Sequence, residues 1–97
     1  MSTPKFPDKD PDEVLDYILD WTSRLESDTI LSSQWFIDVN SESPLVIDDD
    51  DISVDFKKTV VWLSSGQSGF SFTLRNRIIT NGGRTMEQSV KLKVKER

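Results

Sequence analysis

The sequence predicts an all-β domain, and three observations carry that reading. Gly69 to Val94 alternates apolar and polar residues around a central Asn81-Gly82-Gly83. Short runs rich in β-branched and aromatic residues recur through the rest of the chain, and clusters of Ser, Asn, Gly and Pro separate several of them. A period of two with one apolar face is the pattern of a half-buried strand.

In the hairpin, Phe70, Phe72, Leu74, Asn76 and Ile78 alternate with Ser71, Thr73, Arg75, Arg77 and Ile79. Asn81-Gly82-Gly83 supplies residues that accept positive φ. Met86, Val90, Leu92 and Val94 then alternate with Glu87, Ser89, Lys91 and Lys93. A hairpin cannot bury such a row by itself, so the preceding residues must form a second layer.

Residues 1–12, MSTPKFPDKDPD, hold three prolines and mixed charges, which predicts a flexible, solvated N-terminal lead-in. Phe6 is its one residue able to anchor on a neighbour. Glu13 to Leu25 supports two readings. Asp10 as a cap, Pro11 behind it and the spacing of Val14, Ile18, Trp21 and Leu25 fit a helix. The alternation of Leu15, Tyr17, Leu19 and Trp21 with Asp16, Ile18 and Asp20 fits a strand.

Asp28 to Val39 is rich in β-formers, with Ile30, Ser32, Gln34 and Phe36 on one face and Leu31, Ser33, Trp35 and Ile37 on the other. Trp35 is expected at the centre of the core. Asn40 to Pro44 reads as a turn. Leu45-Val46-Ile47 reads as a short strand ending at the aspartates Asp48 to Asp51, and Ile52, Val54 and Phe56 as another. Thr59 to Leu63 is a further apolar strand, and Ser65-Gly66-Gln67-Ser68-Gly69 connects it to the hairpin.

These runs give about seven strands, over 14–21, 28–38, 45–48, 52–56, 59–64, 69–79 and 85–95. Seven short strands in about 100 residues suit an immunoglobulin-like two-sheet β-sandwich, with a small barrel as the alternative. The expected organisation is the lead-in, 1–12, followed by a single sandwich domain over 13–97.

A chain of 97 residues buries roughly 60 to 65% of its unfolded surface without a disulfide or metal staple. The lack of cysteine mildly favours a reducing compartment. No apolar run approaches the length of a membrane span, and residues 1–12 do not have the basic-then-apolar pattern of a signal peptide. Charge is uneven along the chain. Residues 1–55 carry fifteen acidic and three basic residues, net −12, and residues 56–97 carry two acidic and nine basic, net +7. Interleaving of the two halves would mix these charges. The alternative is a polarised surface suited to head-to-tail association between copies or with an unlike partner.

With neither histidine nor cysteine, the usual neutral-pH base, thiol nucleophiles and most zinc sites are excluded, and no catalytic or cofactor-binding residue is assigned. The Asp48 to Asp51 run could offer oxygens to Ca²⁺, but it lacks the spacing of an EF-hand loop and reads as a solvated loop blunting a sheet edge. The glycine-containing connector at 65–69 is followed by a strand and by no Lys-Ser or Lys-Thr pair, so it is not a phosphate loop. Arg75, Arg77, Arg84, Lys91, Lys93 and Lys95 fall on the polar faces of the hairpin. Phe70 and Phe72 lie in the opposite row, so base stacking is not set up and nucleic-acid binding is not expected.

Three blocks carry a resemblance: KDPDEVLDYILDW (Lys9 to Trp21), DTILSSQW (Asp28 to Trp35), and TVVWLSSGQSGFSFTLRNRIITNGGRTMEQSVKLKV (Thr59 to Val94). In this order they resemble a family of small structural proteins of tailed bacteriophages and prophages described as fiber-tail adaptors. The chain has Ser27 where a glycine commonly precedes the second block, and its Leu45 to Asp55 region is longer and more acidic. The resemblance implies an immunoglobulin-like sandwich, and with it a strand over Val14 to Trp21. It also implies a non-enzymatic virion protein at the tail, the fibre attachment or the head-tail junction. Such a protein would contact tail, fibre or connector components, with self-association a further option, and would reside in host cytoplasm before assembly. A soluble regulatory or inhibitory module on the same sandwich is the alternative function.

Overall fold

The computed structural model describes residues 5–38 and 45–96. In chain order the elements are β1 (Leu15–Asp20), α1 (Thr22–Leu25), β2 (Ile30–Asp38), β3 (Leu45–Ile52), β4 (Lys58–Ser65), β5 (Ser71–Thr80) and β6 (Thr85–Lys93). The strands form two antiparallel sheets, ordered β1-β4-β3 and β2-β5-β6. The turn expected over Asn40 to Pro44 lies outside the described residues.

Period-two patterning decides which side chains meet. Tyr17, Leu45, Val61 and Leu63 from the first sheet share one core with Trp35, Phe72, Leu74, Val90 and Leu92 from the second. The sheets therefore pack face to face as two layers rather than closing into a barrel. Trp21, Leu25, Ile30 and Ile78 make a second cluster. The inner rows of the hairpin follow the sequence pattern, with Phe72 opposite Leu92, Leu74 opposite Val90 and Ile78 opposite Met86. Phe70 lies before β5 and is exposed.

Asn76 is the polar member of that buried row, and it is fully enclosed. Its Oδ1 accepts from Trp21 Nε1 at 2.9 Å and from the Thr59 hydroxyl at 2.7 Å, while its Nδ2 donates to Ser33 Oγ at 2.9 Å and to the Gln34 carbonyl at 3.0 Å. Every polar atom of the amide is satisfied, so burying it carries no orphan penalty.

The segment over Glu13 to Leu25 resolves as strand followed by one helical turn. β1 pairs with β4 from Leu15 opposite Leu63 to Asp20 opposite Lys58. The Asp20 carboxylate then accepts from the Thr22 N–H at 2.9 Å, starting the turn that seats Leu25 in the core. Glu26, at φ 59°, ends it.

Three expectations are corrected. The separate strands 45–48 and 52–56 are replaced by the single strand β3. The aspartates stay extended and pair with β4 through a bulge between Ile47 and Asp49. Asp48 to Asp51 thus lie in an edge strand, not a loop. The chain turns only at Ser53 to Phe56, where the Asp55 carboxylate accepts from Ser53 Oγ and the Lys57 N–H and Phe56 sits at φ 58°.

The second correction concerns β2. A register shift between Ile30 and Ser32 inserts Leu31 as an extra residue, so Ile30 points inward with Ser33, Trp35 and Ile37 rather than with Ser32. Leu31 is left exposed.

The third is the lead-in. Its described part, from Lys5 on, is packed rather than solvated. Lys5 bridges Lys91 and Lys9 bridges Val94 in parallel, covering the edge that β6 would otherwise expose. Phe6 is buried, stacked on Tyr17 at 4.7 Å between ring centres and 6.3 Å from Trp35. Lys9 is wholly buried, its ammonium donating to the carbonyls of Ser65 at 2.7 Å and Asp10 at 2.8 Å. Counted with the six strands, this segment brings the β-paired stretches to about the seven expected.

The β5–β6 turn is tied to the loop before β2. The Asp28 carboxylate accepts from the Gly82 N–H at 3.0 Å and from the Arg84 guanidinium at 3.2 Å. A side chain at position 82 would place its Cβ 2.7 Å from that carboxylate, and Gly83 takes φ +86°, so both glycines are required by the turn.

Candidate docking faces

Paired residues of a ladder point to the same side, so the registers fix what each sheet presents to solvent. On the outer face of β1-β4-β3, Trp62 lies between Asp16 and Asp49, Val60 between Ile18 and Asp51, and Lys58 opposite Asp20. The result is an apolar stripe of Ile18, Val60 and Trp62 with aspartates on both flanks. Ile18 is 55% exposed, and Val46 beside the stripe is 41% exposed. Four aspartates share this face with one lysine.

The four consecutive aspartates do not converge. Asp49 and Asp51 point outward with Trp62 and Val60, whereas Asp50, opposite Val61, is on the inner side of the edge strand. Burial, and then the charges of Asp49 and Asp51, push the Asp50 carboxyl above its ordinary value. Asp49 and Asp51 each accept the N–H of the next residue, at 2.9 and 2.7 Å. Among the described residues no group of three or more acidic side chains is placed to hold a metal ion. An inward charge on an exposed edge also opposes strand addition by another chain.

The outer face of β2-β5-β6 has the opposite character. Its outward residues include Arg75, Arg77, Lys91 and Lys93, against Asp38 and Glu87. The two arginines lie over the Phe36 ring, at 5.2 and 5.5 Å from its centre. Arg75 pairs with Asp38 at 3.3 Å and Glu87 at 3.4 Å, and Arg77 with Glu87 at 3.0 Å. The Arg77 guanidinium, helped by Arg75, holds the Glu87 carboxyl below its ordinary value. Both acids on this face are therefore neutralised in place. Lys91 and Lys93, opposite Thr73 and Ser71, make no ion pair among the described residues, and neither does Lys5. These three lysines line a cleft of about 430 Å³ together with Asp8, Phe6 and Phe72.

The six basic residues singled out in the sequence are thus split. Arg75, Arg77, Lys91 and Lys93 share one face. Arg84 is committed to the turn, bound to Asp28 and to the Leu25 carbonyl at 3.0 Å, and Lys95 pairs with Asp8 at 3.2 Å. Phe72 lies in the core, opposite to the arginines. Phe36, which supports both arginines, was placed on its row by the sequence, but only the β2–β5 register puts it beside Arg75. The halves of the chain do interleave, with β4 between β1 and β3, yet each sheet keeps an excess of one sign outside, acidic on β1-β4-β3 and basic on β2-β5-β6.

A family model described as Podophage GP4 fiber-tail adaptor protein gp77 matches residues 9–93. The chain belongs to this family. No curated protein matches it. The fiber-tail adaptor match spans all six strands and both outer faces, and the resemblance carried by the three sequence blocks holds. Lys5 and Phe6 lie outside the matched residues. Among the described residues, no helix of this family member is long and apolar enough to cross a membrane.

Proposed function

We propose that this fiber-tail adaptor family member is a non-enzymatic structural protein of a bacteriophage or prophage particle. It acts at the tail, at the attachment of fibres or at the head-tail junction, and is held in host cytoplasm until assembly. The single observation that carries the reading is the family match across residues 9–93. The surface is consistent with it: an apolar stripe with acidic flanks on one side and a basic face on the other offer the apolar centre and charged rim that protein-protein contacts use. Its partners are tail, fibre or connector components rather than nucleic acid.

We further infer an immunoglobulin-type sandwich. The sheet orders β1-β4-β3 and β2-β5-β6 correspond to the B-E-D and C-F-G orders of immunoglobulin domains, the N-terminal segment stands as a seventh strand, and Trp35 occupies the strand on which those domains carry a buried tryptophan.

The test is co-purification of the tagged protein with assembled particles through density-gradient banding. The tagged protein is expected in the particle band in a fixed ratio to other tail components. Its absence from purified virions would overturn the proposal.

A further inference from the structure

We propose that copies of this chain stack head-to-tail, the Asp16–Asp49–Asp51 face of one copy seated on the Lys5–Lys91–Lys93 face of the next. The inference rests on reading the protein as one that works by protein contacts, and it names the partner: a second copy of itself.

Three observations converge on it. The unpaired charges on the two outer faces are sorted by sign: Asp16, Asp49 and Asp51 make no ion pair on the outside of β1-β4-β3, and Lys5, Lys91 and Lys93 make none on the outside of β2-β5-β6, among the described residues. The acids on the basic face, Asp38 and Glu87, are already bound by arginines, Asp8 in the cleft is bound by Lys95 at 3.2 Å, and Lys58 on the acidic face is bound by Asp55 at 3.2 Å. What each face has left over is what the other lacks. Second, the acidic face carries the Ile18–Val60–Trp62 stripe, with Ile18 exposed and Val60 and Trp62 half-buried, which gains from being covered, and the basic face borders the cleft of about 430 Å³ lined by Lys5, Lys91 and Lys93. Third, the molecule extends 40 × 27 × 20 Å, so a broad face has room for the roughly 800 Å² per partner that a stable contact needs.

Because the two faces lie on opposite sides of the sandwich, the contact joins unlike surfaces. It cannot be satisfied in a two-fold dimer, and each added copy presents a fresh acidic or basic face. The assembly closes into a ring or grows as a column.

The test uses the full chain in analytical ultracentrifugation at low and high salt, with two charge-reversed variants. Asp49→Lys with Asp51→Lys makes both faces basic, and Lys91→Glu with Lys93→Glu makes both acidic. All four positions are exposed, so each variant is expected to keep the β-sheet circular dichroism and melting midpoint of the parent. Wild type is expected to form species larger than a dimer at low salt, with association weakened at least tenfold at roughly 0.5 M salt. Each variant alone is expected to remain monomeric, and an equimolar mixture of the two to associate again. A wild-type chain that stays monomeric, a closed dimer that survives both reversals, or a mixture that does not associate would each overturn the stacking.

Particle incorporation is a separate readout. A chain that is monomeric in solution and in the assembled particle, yet present in virions, ends the stacking and leaves the adaptor role. A chain that stacks but is missing from virions does the reverse.

Discussion

Trp21 Nε1 donates to Asn76 Oδ1 at 2.9 Å, joining the end of β1 to the middle of β5 across the interior. Thr59 of β4 binds the same oxygen, so one buried amide ties the two layers together. Such a tie fixes how the sheets sit against each other more than apolar packing alone would.

Replacing Asn76 by Leu keeps the volume but takes the acceptor from the Thr59 hydroxyl, leaves the Trp21 N–H only the longer bond to Thr59 Oγ1 at 3.3 Å, and removes the donor to Ser33 and the Gln34 carbonyl. The expected cost is about 2–3 kcal/mol. In a domain of this size that lowers the melting midpoint by on the order of 15 °C, readable by calorimetry. An unchanged midpoint would show that the amide does not join the layers.

Phe6 stacks on Tyr17 and sits near Trp35 inside the main core. Phe6→Ala is expected to cost about 2–4 kcal/mol and to shift tryptophan emission to the red as water reaches Trp35. Phe6→Leu should recover most of the loss, and Lys5→Ala, on an exposed neighbour, should change little. Chemical denaturation of the three variants checks the ranking.

Acid should weaken the fold through its bound carboxylates. The Thr80 hydroxyl first, then the backbone at Thr29 and Gly82 and the Arg84 guanidinium, hold Asp28 down at about 2 from an ordinary 3.8. Ser53, the Lys57 N–H and Lys58 hold Asp55 at about 2. Both groups are lower in the folded chain than in the unfolded one, so their stabilisation is present in full above pH 3.8 and is lost as pH falls towards 2. Asp28→Asn is expected to be less stable than wild type at pH 7, with the gap closing by pH 2. A constant gap across a pH series of denaturation curves would contradict this.

Asp50 carries the opposite sign. Its folded carboxyl is raised, so at neutral pH its charge works against the fold. Asp50→Val would continue the inward row of Ile47 and Ile52 and is expected to raise stability by roughly 1 kcal/mol. The gain should come with concentration-dependent aggregation, seen by light scattering, because the inward charge that protects the β3 edge is gone.

What the sequence made legible is what a single period describes. The inner rows of β5 and β6 and the strand nature of β4 follow directly from alternation. β2 did not, because one extra residue at Leu31 reverses the parity of everything before it, and a bulge has no reliable sequence mark. The aspartate run looked like a loop because charge was weighed and edge pairing with β4 could not be. Phe6 is visible in the sequence as an anchor but its seat is not, and Lys9 gives no sign of burial, for another reason: their partners are Tyr17, Ser65 and the far end of the hairpin, contacts that no local pattern encodes. The docking faces were half visible. The imbalance between the two halves of the chain is plain in the composition, but its sorting onto opposite sides needed the strand registers.

The parallel bridge between Lys9 and Val94 also dictates the order in which the molecule can be completed. On the ribosome Phe6 and Lys9 are made before β1 to β5, and the strand they lie against is made after them, so this part of the core stays open until β6 has emerged. Closure then comes in one late step, and a message cut short within β6 yields a chain with Phe6 and Lys9 unseated.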